Sequence, residues 1–455
     1  MVAPAAASSG GSASLLESAV GAELDALTTR RLRIVAPVLM GVIMLFDSWD
    51  GIAIAFVLPG LLSEWKISPL LTGTLISAGY AGQFIGAMSL GVLAERFGRM
   101  PVFNAAVVWM CLLALGCAFV TNLETLMVLR FLQGIAIGGA LPVAVTYINE
   151  LAPSSIRGRY FATFQFLAMA GYGVASVSSW YIVPNLGWRW MFGFGAVPLL
   201  LLPLVFLRLP ESPRWLARRG LVDQTNAALR KLGGPGGVVA PANLEQAPPA
   251  ARIPVMTLFN AEFRHRSLVV MGLWFFISFT SFGLSTWVPS IYRSVYHFPV
   301  EDSLTYPAIG SLLFQFVTPT IGLFIDRIGR RPLAIAGSGL SMLALFSLAL
   351  FQPVTPIPLV PMVITSLLMI SAANVIAWPY SAETFPTHIR AVALGTCGSV
   401  ARAASTLTPI AIGAILGSGG SVALVFLMLG TSAGIALALW VFATRETKDV
   451  KLDAI

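Results

Sequence analysis

Twelve stretches of this chain stay apolar for about 20 residues each, and that feature leaves very few folds open. Inside a bilayer the backbone finds no water, so every N–H and C=O must be satisfied within the protein, which a long helix achieves alone. The runs fall at 34–60, 69–94, 101–121, 123–149, 160–183 and 188–207, then at 267–291, 303–325, 332–352, 358–382, 391–416 and 420–443. Gly and Pro interrupt many of them. With 57% hydrophobic and only 11% charged residues, the chain carries more apolar sequence than one soluble core can absorb. The expected fold class is an all-α membrane protein with twelve transmembrane helices.

Charge sets the expected orientation. If both termini are cytoplasmic, all of the 28 Lys and Arg lie on the cytoplasmic side except Lys66, Arg189 and Arg293 outside and Arg130 and Arg402 within helices. Cytoplasmic loops retain positive charge during insertion, so the net charge of +8 is explained by topology, and no nucleic-acid partner is expected. Cys111, Cys117 and Cys397 fall inside predicted helices, with no disulfide framework and no Cys/His metal spacing. Residues 1–33 lack the basic start and apolar centre of a secretory signal and are expected to be a disordered cytoplasmic tail. The polar break at 209–266 reads as a cytoplasmic linker with short surface helices, and 444–455 as a cytoplasmic tail. The two helix groups then occupy 34–208 and 267–443.

These groups are related. Gly91-x-x-x-Glu95-Arg96-x-Gly98-Arg99 follows helix two, and Gly322-x-x-x-Asp326-Arg327-x-Gly329-Arg330 follows helix eight, 231 residues later. Glu150-x-x-Pro153-x-x-Ile156-Arg157 follows helix four and recurs as Glu383-x-x-Pro386-x-x-Ile389-Arg390 after helix ten, at an offset of 233. A weaker match relates Pro210-Glu211-Ser212 to Arg445-Glu446-Thr447 at an offset of 235. Three matches at nearly one offset mark a duplicated six-helix unit.

The doubled loop motif, with the chain from about 34 to 448, resembles the major facilitator superfamily. That resemblance implies two pseudo-symmetric six-helix bundles rocking about a midplane site. It also implies gating roles for Glu95, Arg96, Arg99, Glu150, Arg157, Asp326, Arg327, Arg330, Glu383 and Arg390, whose ion pairs join the bundles at the cytoplasmic face when the transporter opens outward.

Charges at membrane depth are costly, on the order of 2.5 to 3.5 kcal/mol on insertion scales, so each needs a partner or a function. Asp47 and Asp50 stand at i and i+3 on nearly one face of helix one. At about 1.5 Å per residue, Asp47 lies roughly 21 Å from the cytoplasmic side and Arg130 roughly 9 Å from the outer side, the same depth in a core of about 30 Å. A pair between Arg130 and either Asp is therefore expected, although Asp50, nearer the outer end, could instead be a solvated cap. Arg130-Phe131-Leu132-Gln133-Gly134 matches the R-x-x-Q-G stretch that the resemblance associates with proton coupling. Arg402 lies roughly 18 Å deep on helix eleven, and helices seven to twelve hold no acidic residue away from their ends. A guanidinium there suits an anionic solute, because it binds a carboxylate through two parallel hydrogen bonds. The other reading is that Arg402 pairs with an Asp of helix one or with backbone carbonyls. Trp49, Gln165, Tyr172, Trp274, Ser278, Ser281, Gln315, Asn374, Trp378 and Tyr380 are the candidates for the rest of the pocket, Gln315 and Asn374 foremost, since an amide in a helix interior needs a partner.

Pro210-Glu211-Ser212-Pro213-Arg214-Trp215-Leu216 resembles the sugar-porter loop after helix six, yet helix seven lacks the double Gln with which sugar porters hold hydroxyls. Gly283-Leu284-Ser285-Thr286-Trp287-Val288-Pro289, together with Asp47-Ser48-Trp49-Asp50-Gly51 on helix one, is similar to the aromatic acid and metabolite proton symporters, including bacterial nicotinate transporters. The helix-five antiporter motif of drug exporters is absent. The short 61–68 loop and the lack of an N-x-S/T sequon fit a bacterial inner-membrane protein. The expected function is thus proton-coupled uptake of a small aromatic or heteroaromatic carboxylate by a monomer, with Asp47, Asp50 and Arg130 handling the proton and Arg402 the anion. Export of an organic cation with Asp47 or Asp50 as counter-ion is the rival transport reading, and a transport-inactive nutrient sensor the rival of another kind. No nucleophile, base and oxyanion constellation is readable, so no enzyme and no cofactor are expected.

Overall fold

The structure, a computed structural model, describes residues 9–236 and 254–448. Among the described residues, twelve helices are long and apolar enough to cross a membrane: Arg31–Trp65, Pro69–Phe97, Arg99–Ala118, Leu123–Leu151, Ser154–Leu186, Arg189–Arg208, Arg264–Ser294, Val300–Ile328, Arg330–Phe351, Pro356–Thr384, Ile389–Gly417 and Val422–Ala443. These are helices one to twelve below. They match the apolar runs one for one, and most extend beyond them. Hydropathy marks the hydrocarbon slab, whereas the helices continue into charged turns such as Ala94–Phe97 that lie at its edge.

Local signals set several ends. Ser68 Oγ accepts from Leu71 N ahead of Pro69, and Asn122 Oδ1 accepts from Thr125 N at 2.8 Å, capping helices two and four. Gly98 and Gly329 take φ of 105° and 107°, a region that disfavours a Cβ, which lets the chain turn sharply from helix two into three and from eight into nine. Helix six is interrupted at Gly195–Val197 and helix eight at Gln315–Phe316.

In the first half helices one and five pair, as do two and four; in the second, seven pairs with eleven and nine with ten and twelve. Helices two and four meet backbone to backbone, because a Cβ on Gly82, Gly86, Gly134 or Gly138 would collide with a carbonyl of the other helix. The halves join through helices two and eleven, five and eight, and one and seven, a set that two-fold pseudo-symmetry maps onto itself.

This interface is concentrated away from the loop motifs. At the other end a Cβ on Gly73 would strike Pro409 O, and one on Gly413 would stand 2.5 Å from Pro69 O. Deeper in, Ser77 Oγ donates to Thr406 O at 2.6 Å, Tyr80 meets Phe282 edge-on at 5.3 Å, and Gln315 Nε2 donates to Met169 O at 2.7 Å. The molecule is thus sealed at the end opposite the motifs.

Residues 9–33 depart from the disordered tail read from sequence. Residues Ser9–Ala26 form a helix that packs on linker helix Pro213–Arg218, burying Leu16, Val20, Leu24 and Leu27. Asp25 accepts from Ser154 N and Oγ at 2.5 and 2.8 Å, and Thr29 Oγ1 donates to Leu232 O at 2.7 Å. Polar, small-residue composition suggested disorder, but the apolar spacing 16, 20, 24, 27 supplies one buried stripe. The linker does contain short helices, Pro213–Arg218 and Val222–Lys231. Residues 1–8, 237–253 and 449–455, which include parts of the tail, linker and C-terminal readings, lie outside the described residues.

Candidate functional site

Two charged layers stand out, one at the motif end and one midway through the helices.

At the motif end the duplicated loops build the same station twice. Arg99 Nη2 donates to Glu95 Oε1 at 2.8 Å and Glu150 Oε1 at 3.0 Å, while Nη1 bonds Ala94 O at 2.9 Å. Arg330 repeats this, with Nη1 on Asp326 Oδ1 at 2.9 Å and Nη2 on Glu383 Oε1 at 3.0 Å. Each station is closed by a glutamate from the weakest sequence match. Glu211 accepts from Arg99 N and Met100 N, and Glu446 from Arg330 N and Arg331 N, all at 3.0 to 3.2 Å. Both thereby satisfy free N–H groups at a helix start. Burial pushes the Glu211 carboxyl above the usual glutamate range. Burial acts the same way on Glu446, but backbone N–H bonds from Lys448, Arg330, Arg331 and Thr447 outweigh it and hold that carboxyl below the range.

All of these ion pairs lie within one half. The contacts between halves read for the gating residues are therefore not made in this conformation, as expected of a molecule sealed at its other end. Arg96, Arg157 and Arg327 are exposed, and Arg390 caps Phe385 O at 3.3 Å. Sequence reasoning gave no role to Arg218, whose Nη2 donates to Glu150 Oε1 at 2.5 Å, or to Arg219, whose Nη2 donates to Glu95 O at 2.7 Å.

In the middle layer Asp47 and Asp50 are both buried, Asp50 completely. The solvated-cap reading of Asp50 is thus corrected: the interruption of helix six covers its carboxylate, and a Cβ on Gly195 would stand 2.5 Å from Asp50 Oδ1. Arg130 is buried too, but the expected ion pair is not formed. Its Nη2 donates to the backbone carbonyl of Asp50 at 3.2 Å and its Nη1 to Gln133 Oε1 at 2.8 Å, with its guanidinium 5.3 Å from the Phe192 ring centroid. Equal depth brought the three residues to one level, while helix rotation sent the Asp50 carboxylate toward helix six.

The two aspartates also diverge sideways. Arg130 acts electrostatically on Asp50, whereas Arg402 of the other half acts on Asp47. Asp47 and Tyr172 are in turn the groups that act on Arg402. Among the described residues no ion pair within 4.0 Å joins Asp47 to Arg402, and Asp47 Oδ1 and Arg402 Nε are buried without hydrogen-bond partners. Arg402 Nη1 has only a long bond to Gly398 O, at 3.4 Å.

The pocket candidates separate in the same way. Tyr172 lies beside this layer and contacts Phe314 across the interface. Ser278 is buried with an unpartnered hydroxyl, and Gln165, Ser281 and Asn374 are half-buried. Others are structural. Trp49 Nε1 donates to Met191 O at 2.9 Å inside the first half. Trp274 Nε1 donates to Ser381 Oγ at 2.9 Å and packs on Trp378, itself 51% exposed. Tyr380 packs on Trp440 near the motif end, and Gln315 spends its amide on latching the halves. An aromatic ring inside an apolar run looks the same whether it faces a pathway or a neighbouring helix, so these could not be told apart in advance. Tyr80 and Phe282, which meet across the interface, carried no sequence signal.

The family model described as Major Facilitator Superfamily matches residues 38–400. The chain is 29% identical over 422 residues to the niacin transporter NiaP of Acinetobacter baylyi, covering 91% of this chain and 94% of that protein. It is 31% identical over 419 residues to the gallate transporter of Pseudomonas putida, covering 90% and 91%. Among solved structures, the partially occluded inward-open xylose transporter XylE from E. coli superposes with a TM-score of 0.72 at 22% identity, covering 92% of this chain and 99% of that one.

Proposed function

Because the chain belongs to the major facilitator superfamily, we propose that it takes up a small aromatic or heteroaromatic carboxylate together with a proton, by alternating access. Members of that family and the matched relatives carry solutes, so the chain is a multi-pass membrane transporter and not an enzyme. Niacin and gallate, named for the two relatives, are both ring-bearing carboxylic acids.

The observation that carries the proposal is the half-buried Arg402 guanidinium, whose Nε is buried without a hydrogen-bond partner. It is the cation of the middle layer that lies on the second half, in no ion pair, beside the interface with the first. An uncompensated guanidinium at membrane depth is stable only with an anion at hand, and a solute carboxylate meets its planar fork. Asp47, Asp50 and Arg130 form the proton site of the opposite half. The Lys and Arg distribution supports a cytoplasmic location of both termini and of the motif end in a bacterial inner-membrane protein. The conformation is then closed outside and open inside, and the Arg99 and Arg330 stations exchange partners across the halves when the outside opens.

Uptake of nicotinate and benzoate into proteoliposomes tests this. An imposed inward proton gradient accelerates uptake and drives accumulation. Uptake indifferent to the gradient rejects coupling, and carboxylate affinity unchanged in Arg402→Ala removes the anion role of Arg402.

A further inference from the structure

We infer that Asp47 and Arg402 form one composite acid site spanning the two halves, in which ionised Asp47 masks the guanidinium and a proton on Asp47 releases it to a solute carboxylate. The inference rests on the carboxylate reading above and separates the two aspartates that reading leaves together.

Geometry divides them. Asp50, whose carboxylate oxygens are likewise unpartnered, is enclosed by the first half between Gly195 and the Arg130–Gln133 pair, and it acts on Asp47 but not on Arg402. Asp47 instead faces Arg402 across the interface, close enough to act on it and too far to pair with it, and each presents a buried polar atom with no partner. Two opposite charges held apart, each with an unused hydrogen-bonding atom, can both bond a third group that comes between them.

The surrounding groups support the assignment. Asp50 on the same helix, Arg402 from helix eleven and Tyr172 from helix five face Asp47. Arg130 acts on Asp50 and on Tyr80, and Tyr80 is also acted on by Tyr172; neither Arg130 nor Tyr80 acts on Asp47. Helices seven and eight, which also pack on helix one, carry their charged residues and tyrosines toward their ends: Arg264, His265, Arg266, Tyr292 and Arg293 on seven, Glu301, Asp302, Tyr306, Asp326 and Arg327 on eight. Arg402 is thus the cation for which Asp47 and an incoming carboxylate compete. With Asp47 ionised, two anions would share one cation in a medium of low dielectric. With Asp47 protonated, its O–H donates to one carboxylate oxygen while Arg402 donates to the carboxylate through its N–H groups. One proton enters with one monovalent anion, and the loaded site carries no more charge than the empty one.

Equilibrium binding of nicotinate and benzoate to the full-length protein, between about pH 5.5 and about pH 8.5, tests the inference, with uncharged nicotinamide as control. Wild-type affinity should fall about tenfold per pH unit once Asp47 ionises, the slope of one linked proton. Asp47→Asn should bind with a flat profile and exceed wild type at the alkaline end by about tenfold or more, with exchange retained and gradient-driven accumulation lost. Asp50→Asn should keep the wild-type slope of binding. For wild type alone, calorimetry in buffers of different ionisation heat should show one proton taken up per anion bound. A retained slope in Asp47→Asn, a slope lost in Asp50→Asn, or no linked proton in wild type each overturns the inference while the carboxylate reading stands. If wild type binds neither acid at any pH, the carboxylate reading fails and this inference with it.

Discussion

Arg99 and Arg330 hold the same three kinds of partner, an acidic residue one turn back, a glutamate from the next loop and a backbone carbonyl, yet their side chains are 2% and 16% exposed. The difference lies in what surrounds them. Around Arg99, Trp215 Nε1 and Arg219 cap Glu95 O, Arg218 adds a second cation to Glu150, and the Ser9–Ala26 helix packs behind that linker. Around Arg330 the glutamate receives only a hydroxyl, from Thr447 Oγ1. Both copies keep the hydrogen-bond logic of the station, and the first is the more deeply embedded. The first half therefore presents a braced surface at the motif end, against which the more open station of the second half can exchange partners.

Substitution of the two arginines gives the largest expected effect on this comparison. Removing one member of a buried pair leaves uncompensated charge and costs about 3 to 5 kcal/mol, whereas a more exposed pair costs about 1 kcal/mol. Arg99→Ala should lower the thermal midpoint of purified protein far more than Arg330→Ala; equal shifts would show that the bracing does not matter. The turn glycines predict the opposite pattern. Gly98 and Gly329 share nearly the same φ, and a Cβ on either would crowd a glutamate oxygen. Gly98→Ala and Gly329→Ala should each cost about 1 to 3 kcal/mol and differ little, which the same midpoint measures. A large inequality would mean that embedding has altered the backbone as well as the side chains.

The smallest effect is the dependence on pH. Glu446, held below the ordinary glutamate value near 4.5, contributes stability that is present above that value and lost as pH falls through its folded-state pKa. Glu211, held above it, is protonated more readily folded than unfolded, so its contribution grows as pH falls toward the ordinary value. Glu446→Gln should thus remove part of the acid sensitivity of the midpoint, and Glu211→Gln should be tolerated at neutral pH. Reversed behaviour would undo the distinction between the two caps.

Much of the site was legible as residue identity and little of it as partnership. Asp47, Asp50, Arg130 and Arg402 were found because charge in an apolar run is conspicuous and expensive. Rise per residue then placed them at similar depth. The pairing of Arg130 with an aspartate carboxylate was wrong, because depth says nothing of rotation. Residues at i and i+3 share a face only loosely, and here that looseness sends Asp50 into the first half and Asp47 to the interface. Trp49, Trp274, Tyr380 and Gln315 were candidates on chemistry alone, and packing took each for another use.

What the sequence determined alone is whatever has a local or periodic cause. Backbone hydrogen bonding without water dictates the helices, and the repeat offset near 233 residues dictates two homologous halves. The tertiary structure decided what depends on residues far apart in the chain: which end is sealed, which charges meet, and that the Ser9–Ala26 helix is docked. Those outcomes follow from how helices rotate and shift against one another, and the contact of Gly73 with Pro409 and the electrostatic coupling of Asp47 to Arg402 both join segments more than 330 residues apart.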